Sequence, residues 1–240
     1  MANEIIQCQH VGFSAGGTTI LHDLHAAVPA GEVLFIAGKS GCGKSTIMRI
    51  MAGLNYPTSG DVLMRGLSLR KAFNHQLMAN HAQNGYVFQD NALISNLTIF
   101  DNIALPLRYN ERGTEAEIRE QVDKILETFD LVDDRMNRPA ALSMGEMKMA
   151  ALARAVITKP TLLFMDEPIA SLDRVRVEMV KEEVRVLRQT GTTFVIIAHE
   201  ADFADEFATR IWYMDKGRLL NNWSAEELGD RKRKVLEDII

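Results

Sequence analysis

Cysteine is scarce in this sequence, and its scarcity indicates in which kind of cell compartment, oxidising or reducing, the protein is found. The 240 residues include two cysteines, Cys8 and Cys42, which is too few for a disulfide framework. Cys42 also lies inside a glycine-rich segment, where a cross-link would disturb the loop. A reducing cytosol fits this cysteine usage best.

The sequence also lacks long hydrophobic runs and an excess of basic residues. No apolar stretch approaches the roughly 18 residues that a membrane-spanning helix needs. Residues 1–11 (MANEIIQCQHV) carry neither the basic region nor the apolar core of a signal peptide. The net charge of −5 argues against a dedicated nucleic-acid binder. We therefore expect a cytoplasmic protein that binds no nucleic acid and meets a membrane only through a partner.

Strand and helix patterns alternate along most of the chain, which is typical of a parallel sheet with helices on its faces. We predict one α/β domain over residues 1–240, with a core formed by 1–90 and 159–240. The core begins with a small antiparallel sheet, and residues 91–158 form an inserted α-helical subdomain. The predicted strands are 5–11, 20–28, 32–37, 61–64, 85–89, 162–166, 193–199 and 210–215, and the clearest predicted helices are 44–53, 114–129, 174–189 and 201–208.

One stretch matches a phosphate-binding loop. In VLFIAGKSGCGKST (33–46) an apolar strand leads into a glycine-rich turn and then a helix, with the spacing G-x-x-x-x-G-K-[ST]. Glycines let successive N–H groups point at phosphates, and the helix N-terminus adds its positive dipole end. Lys44 is predicted to neutralise the β- and γ-phosphates and Ser45 to ligate Mg²⁺. The predicted nucleotide site consists of Gly38, Lys39, Ser40, Gly41, Cys42, Gly43, Lys44, Ser45 and Thr46.

A second apolar strand ends in two carboxylates (LLFMDEP, 162–168). Asp166 stands at the carboxyl end of this strand, where an acid can hold Mg²⁺ through water. Glu167 follows directly and can orient or deprotonate an attacking water. Acids that only mark the exit of a strand are common, but a phosphate loop in the same chain favours the catalytic interpretation.

Further motifs give the chain a resemblance to a known family. In order along the sequence stand GKSGCGKST, YVFQD with Gln89, LSMGE at 142–146, LLFMDEP, Ser171-Leu172-Asp173, and IIAHE with His199. This order resembles that of the ATPase subunits of ABC transporters over essentially the whole chain. The resemblance implies an ATPase with a P-loop NTPase core. It also implies a homodimer that encloses two ATP molecules, each phosphate loop facing the signature loop (142–146) of the other copy.

The resemblance also implies roles for single residues. Gln89 would sense Mg²⁺ and the membrane subunit, and His199 would contact the γ-phosphate. Ser171 and Asp173 would lie in a loop that crosses the dimer. ATP and Mg²⁺ are the implied cofactors, with Ser45, Gln89 and Asp166 as metal ligands, Glu167, His199, Lys44 and Gln89 as catalytic residues, and Ser143, Gly145 and Asp173 as contacts to nucleotide.

The signature loop departs from the family's usual LSGGQ at two positions. Met144 replaces a glycine and brings a side chain close to where the partner copy's ATP would lie. Glu146 replaces a glutamine and would be unfavourable if its carboxylate faced the phosphates. However, Ser143-x-x-Glu146 also fits a capping box, in which Glu146 bonds to the amide at the start of its own helix. We favour the capping box, and slow turnover at this site stays a prediction.

Another departure concerns the adenine base. The family often places an aromatic residue ahead of the phosphate loop, and the aligned position here is Ala15. Phe13 lies two residues earlier, on the same face of a strand. Phe13 is the candidate for stacking on adenine, although it fits a core position equally well.

The segment after Gln89 indicates a membrane partner. Residues 89–100 occupy the place where the family's permease subunit docks. The stretch 100–108 (FDNIALPLR) resembles ATPases of the Mla type, which work with MCE-domain proteins to move phospholipids or other lipids between bacterial membranes. We therefore expect lipid transport, with a permease and an MCE-domain protein as partners. Lipoprotein release, cell division and small-molecule import stay open as alternatives.

Two classes outside transport remain. ABC ATPases of DNA repair or translation usually carry two ATPase units or a long coiled-coil insertion, and this chain has neither. A binding-only nucleotide switch fits the altered signature loop, but the presence of Glu167 and His199 argues for hydrolysis.

Overall fold

The computed structural model describes residues 4–240; residues 1–3, at the start of the segment tested above for a signal peptide, lie outside them. The strands are β1 (Glu4–Ala15), β2 (Thr18–Pro29), β3 (Val33–Ala37), β4 (Ser59–Met64), β5 (Leu67–Ser68), β6 (Asn84–Val87), β7 (Leu162–Asp166), β8 (Thr193–Ile197), β9 (Arg210–Asp215) and β10 (Arg218–Ser224). The helices are α1 (Lys44–Met51), α2 (Asn74–His81), α3 (Ile99–Tyr109), α4 (Glu115–Thr128), α5 (Met144–Val156), α6 (Arg174–Gln189), α7 (Ala201–Phe207), α8 (Ala225–Leu228) and α9 (Lys232–Ile239), with 3-10 turns at Pro139–Ala141 and Gly229–Arg231.

The chain divides into two compact units. The first unit is Met1–His81 with Gly191–Ile240, and the second unit is Ala82–Thr190. The predicted helical subdomain, 91–158, contains α3, α4 and α5 and falls within the second unit, together with β6, β7 and α6. Its boundaries as a subdomain stay a prediction.

The first unit contains the predicted antiparallel sheet, in the order β2-β1-β4-β5. β1 and β2 form a long hairpin with Cys8 opposite Ala26 and Phe13 opposite Leu21. β3 lies between β8 and β9 and runs parallel to both, while β10 runs antiparallel to β9. All five residues of β3 are buried, as are those of β8. This uninterrupted burial explains why both strands read as continuous apolar runs.

The second unit pairs β6 with β7 in parallel, and α5 packs against β6. α4 begins with a capping box, in which Thr114 and Glu117 bond to each other's amides, and it buries Ile118, Val122 and Leu126 along one face. α5 is buried over most of its length, including the run from Lys148 to Ala153. The element that carries the signature loop is therefore central to the packing of its unit.

The structure differs from the predicted elements in places that bear on function. β6 ends at Val87 and β8 at Ile197, so Gln89 and His199 both follow their strands. β10 was not predicted, because its sequence RLLNNWS mixes polar and apolar residues and only part of it is buried. Within residues 4–240 no helix is both long and apolar enough to cross a membrane. Cys8 and Cys42 are free and buried.

Candidate nucleotide site

The phosphate loop (38–43) leaves β3 directly after Ala37, and α1 begins at Lys44. Gly38 has a φ of 141° and Gly43 a φ of 107°, which L side chains rarely adopt. A Cβ at Gly38 would overlap the carbonyl oxygen of Met214, and one at Gly43 would come within 2.8 Å of the Leu21 side chain. The torsion angles therefore favour glycine at both positions, and at Gly38 the surrounding backbone requires it as well.

The start of α1 offers free amide groups to a ligand. Its N-cap is Gly43, which has no side chain that could bond to the amides of the first turn. Such amides lack partners within a helix and carry the positive end of the helix dipole. Ser45 and Thr46 are half-buried in this turn. The arrangement suits an anionic ligand such as a phosphate.

Lys44 lies within the loop rather than in solvent. It is 8% exposed, and its Nζ donates to the carbonyl of Gly38 at 2.6 Å and to that of Lys39 at 3.2 Å. Burial raises the pKa of the neighbouring Cys42 thiol, while the charge of Lys44 opposes that rise. The ammonium group of Lys44 therefore lies against the phosphate loop, near the thiol of Cys42.

The turn between β9 and β10 supports the phosphate loop. Gly217 has a φ of 74°, and a Cβ there would overlap the carbonyl oxygen of Ile20. Its N–H donates to the carbonyl of Cys42 at 2.9 Å, and its carbonyl accepts from the N–H of His22 at 2.9 Å. This glycine thus links the loop to β2, a role that its position in the sequence did not reveal.

The other predicted residues of the first unit lie at its surface or partly buried. His199 is exposed just after β8, which excludes a core histidine. Phe13 is half-buried in β1 opposite Leu21, and Ala15 is exposed at the end of the same strand. The roles of Phe13 at adenine and of His199 at the γ-phosphate stay predictions.

In the second unit, the two acids stand where the sequence predicts them. Asp166 is the last residue of β7 and is buried, and Glu167 follows half-buried. Glu167 has a φ of 52°, in the left-handed region that residues other than glycine seldom enter. Such backbone outliers occur often at functional sites.

The signature loop contains the predicted capping box. Ser143 is the N-cap of α5; its Oγ accepts from the Glu146 N–H at 3.3 Å, and its own N–H donates to the Glu146 carboxylate at 2.8 Å. Hydrogen bonds from Ser143 hold the pKa of Glu146 below its usual range, and the charge of Arg176 lowers it further. The carboxylate of Glu146 is therefore engaged within its own chain. Met144 is 61% exposed.

Arg176 of α6 connects the signature loop to the Ser171–Asp173 motif. One of its guanidinium nitrogens lies 3.2 Å from the Glu146 carboxylate, and another lies 2.8 Å from that of Asp173. Asp173 caps α6 by accepting from the amides of Val175 and Arg176. A Cβ at Gly145 would lie 3.3 Å from the Arg176 side chain. One arginine that the sequence motifs did not include thus lies against Gly145, Glu146 and Asp173, and Ser143 is bonded to Glu146.

The segment after Gln89 is held by two polar side chains. Arg154 of α5 donates to the carbonyls of Asn91 and Ala92 at 3.0 and 2.7 Å, and both of these residues have positive φ. The buried side chain of Asn102 bonds to the N–H and carbonyl of Ile94 at 2.8 and 3.1 Å. The segment therefore has a defined shape, and Gln89 stands exposed at its beginning.

The predicted Mg²⁺ ligands fit the metal in their chemistry. Ser45, Gln89 and Asp166 offer hydroxyl, amide and carboxylate oxygens, the hard donors that Mg²⁺ prefers. Among the residues that the structure describes, no cluster of three or more histidine, cysteine or acidic side chains is arranged to hold a metal by itself.

A family model described as ABC transporter matches residues 21–170. The chain belongs to the ABC transporter family. Among relatives, it is 34% identical to the spermidine/putrescine import ATP-binding protein PotA of Aggregatibacter actinomycetemcomitans, over 93% of this chain and 59% of that protein. It is 35% identical to the sulfate/thiosulfate import ATP-binding protein CysA of Escherichia coli K12, over 89% and 58%. This ABC domain thus spans about three fifths of the length of these relatives.

Solved structures agree with the fold. The ATP-binding cassette MJ0796, a dimer bound to ADP and Pi, matches with a TM-score of 0.84 at 27% identity, over 91% of this chain and 98% of that one. CbiO1 of Clostridium perfringens, part of the complex cbiONQ, matches with a TM-score of 0.79 at 27% identity, over 97% and 94%. The predicted α/β fold with an N-terminal antiparallel sheet is confirmed. ABC domains of this kind hydrolyse ATP, and the predicted ATPase class is confirmed as well.

Proposed function

We propose that this ABC domain is the ATP-hydrolysing subunit of an import system for a small charged solute. The observation that carries the proposal is the likeness to import ATP-binding proteins for spermidine/putrescine and for sulfate/thiosulfate, over 93% and 89% of this chain. Spermidine, putrescine, sulfate and thiosulfate are all small charged molecules. The comparisons give no support to lipid transport or to an MCE-domain partner, and they favour small-molecule import, which the sequence left open.

Each residue of the site has a proposed role in hydrolysis. The phosphate loop binds the triphosphate of ATP through its amides, and Lys44 exchanges the carbonyls of Gly38 and Lys39 for phosphate oxygens. Ser45, Gln89 and Asp166 would hold Mg²⁺, which would supply positive charge against the phosphates. Glu167 directs the attacking water, and His199 contacts the γ-phosphate. Phe13 stacks on the adenine base.

We further propose that two copies act together and bind a permease. The dimeric state of MJ0796 and the membership of CbiO1 in a transporter complex support this assembly. Ser143 and Gly145 of one copy then contact ATP bound by the other. The permease docks on residues 89–100, where Arg154 and Asn102 hold the backbone and Ile94 is 39% exposed. An ordered loop with an exposed apolar residue suits a partner helix.

One observation favours a second candidate, a slow nucleotide switch. Met144 projects from the first position of α5 and is 61% exposed, so its side chain can interfere with a nucleotide that Ser143 contacts. The capped Glu146 argues the other way, because its carboxylate is directed to its own helix. Single-turnover hydrolysis separates the two candidates, since a switch binds ATP and forms the dimer with little cleavage.

The test of import uses the protein in its membrane complex. The tagged chain is purified from membranes, the co-purifying subunits are identified, and the complex is placed in vesicles loaded with ATP. We expect a multi-span permease and ATP-dependent uptake of a polyamine or an oxyanion such as sulfate, lost with Glu167→Gln. Purification without a multi-span membrane protein would contradict a transport role. ATP-dependent movement of labelled phospholipid without solute uptake would instead support lipid transport.

A further inference from the structure

Lys148 is a buried cation on a helix that is packed mostly with apolar side chains. It lies in α5, five residues after Ser143, and is 6% exposed. Met149, Ala150 and Ala151, which follow it, are completely buried. An ammonium group taken out of water destabilises the folded state unless its protons find acceptors. The atoms that accept hydrogen bonds from the Lys148 ammonium group therefore indicate what this residue does.

The ammonium group of Lys148 binds the backbone that follows β7. Its Nζ lies 2.6 Å from the carbonyl oxygen of Glu167 and 3.2 Å from that of Ala170. An ammonium group has three donors and can bridge two carbonyls, and hydrogen bonds from a charged donor are shorter and stronger than neutral ones. Lys148 thus joins both ends of the turn 167–170 to α5.

The backbone that Lys148 binds has an uncommon conformation at Glu167 itself. The φ of Glu167 is 52°, and Ser171, one residue after the turn, has a φ of 63°. Residues other than glycine persist in this region only where the surrounding structure determines it. The direction of a side chain follows from the torsion angles of its backbone. The direction of the Glu167 carboxylate therefore depends on the conformation of its own backbone, and Lys148 is bonded to the carbonyl of that backbone.

We propose that Lys148 is a positioning residue, which holds the backbone of Glu167 so that its carboxylate faces the attacking water. The inference rests on the proposed function, in which Glu167 directs that water. It also links two events within one copy. Ser143, which meets the ATP of the partner copy, caps the start of α5, and Lys148 on this helix binds the segment that carries Glu167. Engagement of the signature loop and orientation of Glu167 thus share one rigid element.

Substitution of Lys148 tests the proposal in the purified full chain with Mg·ATP. Lys148→Met keeps the length of the side chain and removes its ammonium group, whereas Lys148→Arg keeps a cation. We expect Lys148→Met to slow single-turnover hydrolysis about 10- to 100-fold, because small displacements of a catalytic group have effects of this size. The Kd of a fluorescent ATP analogue should change less than about twofold, since binding is separate from the chemical step. Lys148→Arg should recover part of the rate.

Two controls show whether Lys148 acts through Glu167. Lys124→Met removes an exposed lysine of α4 that pairs with Glu120, and it should hydrolyse ATP as the unchanged protein does. Adding Lys148→Met to Glu167→Gln should not slow the residual hydrolysis further, because two substitutions in one unit are not additive. The proposal is overturned if Lys148→Met lowers the hydrolysis rate by the same factor in the unchanged protein and in Glu167→Gln. A rate for Lys148→Met within about twofold of the unchanged protein also overturns it.

The outcome separates this inference from the proposed function. If Glu167→Gln hydrolyses ATP at the unchanged rate, the role of Glu167 is wrong and the proposal for Lys148 fails with it. If Glu167→Gln is slow and Lys148→Met is fast, only the proposal for Lys148 fails. Should thermal unfolding show that Lys148→Met is unfolded, Lys148→Gln takes its place, since it retains a neutral donor. An unchanged hydrolysis rate for that variant overturns the proposal.

Discussion

The phosphate loop and the segment from Ser143 to Arg176 are held in place by different means. In the phosphate loop the main chain makes the contacts, with Gly217 donating to Cys42 and with Gly38 lying against the carbonyl of Met214. In the second segment charged side chains make the contacts. Glu146 bonds to Ser143, Lys148 bonds to the carbonyl of Glu167, and Arg176 bonds to Glu146. At Gly38 of the first region an added side chain would meet backbone, whereas in the second region the charges of Lys148 and Arg176 make the contacts.

This difference determines which substitutions each region should resist. A Cβ added where backbone atoms are in contact forces the backbone itself to move. A half-exposed ion pair is worth little in stability, yet it fixes the direction of a group that acts on ATP. We therefore expect changes in the phosphate loop to lower stability and binding together, and changes in the charged segment to lower the rate of hydrolysis with smaller effects on stability.

The largest effect is expected from Gly38→Ala. Its Cβ would overlap the Met214 carbonyl, and its φ of 141° is one that alanine rarely adopts. We expect loss of ATP binding and destabilisation of about 3 kcal/mol or more, because overlap with backbone cannot relax cheaply. Gly41→Ala is the matched control, since its φ is 77° and its Cβ would meet nothing within 4 Å. Equal losses of stability in thermal unfolding for both variants would show that torsion strain alone accounts for the effect.

The next effect is expected from Glu167→Gln. The substitution keeps the size of the side chain and removes the base, so hydrolysis should fall about 100- to 1,000-fold, as is usual for loss of a positioned base. ATP binding should remain, and the dimer should become more stable because ATP is not consumed. Size-exclusion chromatography with and without ATP measures the dimer. Rapid hydrolysis by this variant would refute the role given to Glu167.

A smaller effect is expected from Arg176→Met. It removes the cation between Glu146 and Asp173, and the displaced signature loop should slow hydrolysis about 3- to 10-fold. Arg185→Met, at an exposed ion pair of the same helix, is the control and should leave the rate unchanged. Equal rates for the two variants would mean that Arg176 has no special part in the site.

Acid unfolding provides a second measurement on Arg176→Met. The pKa of Glu146 is lowered mainly by Ser143 and in part by Arg176. A carboxylate whose pKa is lower in the folded state than in the unfolded state stabilises the folded state. This stabilisation is complete above the ordinary glutamate pKa of about 4.3, and it is lost as the pH falls through the pKa of the folded state. Between neutral pH and acid, Arg176→Met should therefore lose less stability than the unchanged protein. A larger loss of stability in Arg176→Met than in the unchanged protein would contradict this expectation.

The smallest effects are expected at the two departures in the signature loop. Glu146→Gln should change hydrolysis by less than about twofold, because glutamine can occupy the same place in a capping box. Met144→Gly should raise the rate about threefold, which corresponds to a small change in the barrier. If Met144→Gly leaves the rate unchanged, the exposed methionine does not hinder the site. A large increase would instead favour the slow-switch candidate.

The two regions also differ in how far the sequence predicts them. The phosphate loop is a run of consecutive residues, so its motif predicts the end of β3 at Ala37 and the start of α1 at Lys44, as the structure has them. The capping box was predictable for the same reason, since Ser143 and Glu146 are three residues apart. The roles of Lys148 and Arg176 could not be assigned, because Glu167 lies 19 positions from Lys148 and Glu146 lies 30 positions from Arg176. The one feature of the sequence that pointed to Lys148 was its charge within an otherwise apolar run.

The bond between Gly217 and Cys42 has a consequence for the order of folding. The two residues are far apart in the sequence, and contacts of that kind form late because a long loop must close first. During synthesis the phosphate loop emerges early, long before the β9–β10 hairpin that supports it. A chain stalled ahead of that hairpin carries the complete nucleotide motif without its support. The phosphate loop thus gains this support only after β9 and β10 have been made, and a nucleotide captured by a growing chain would report that these two strands are in place.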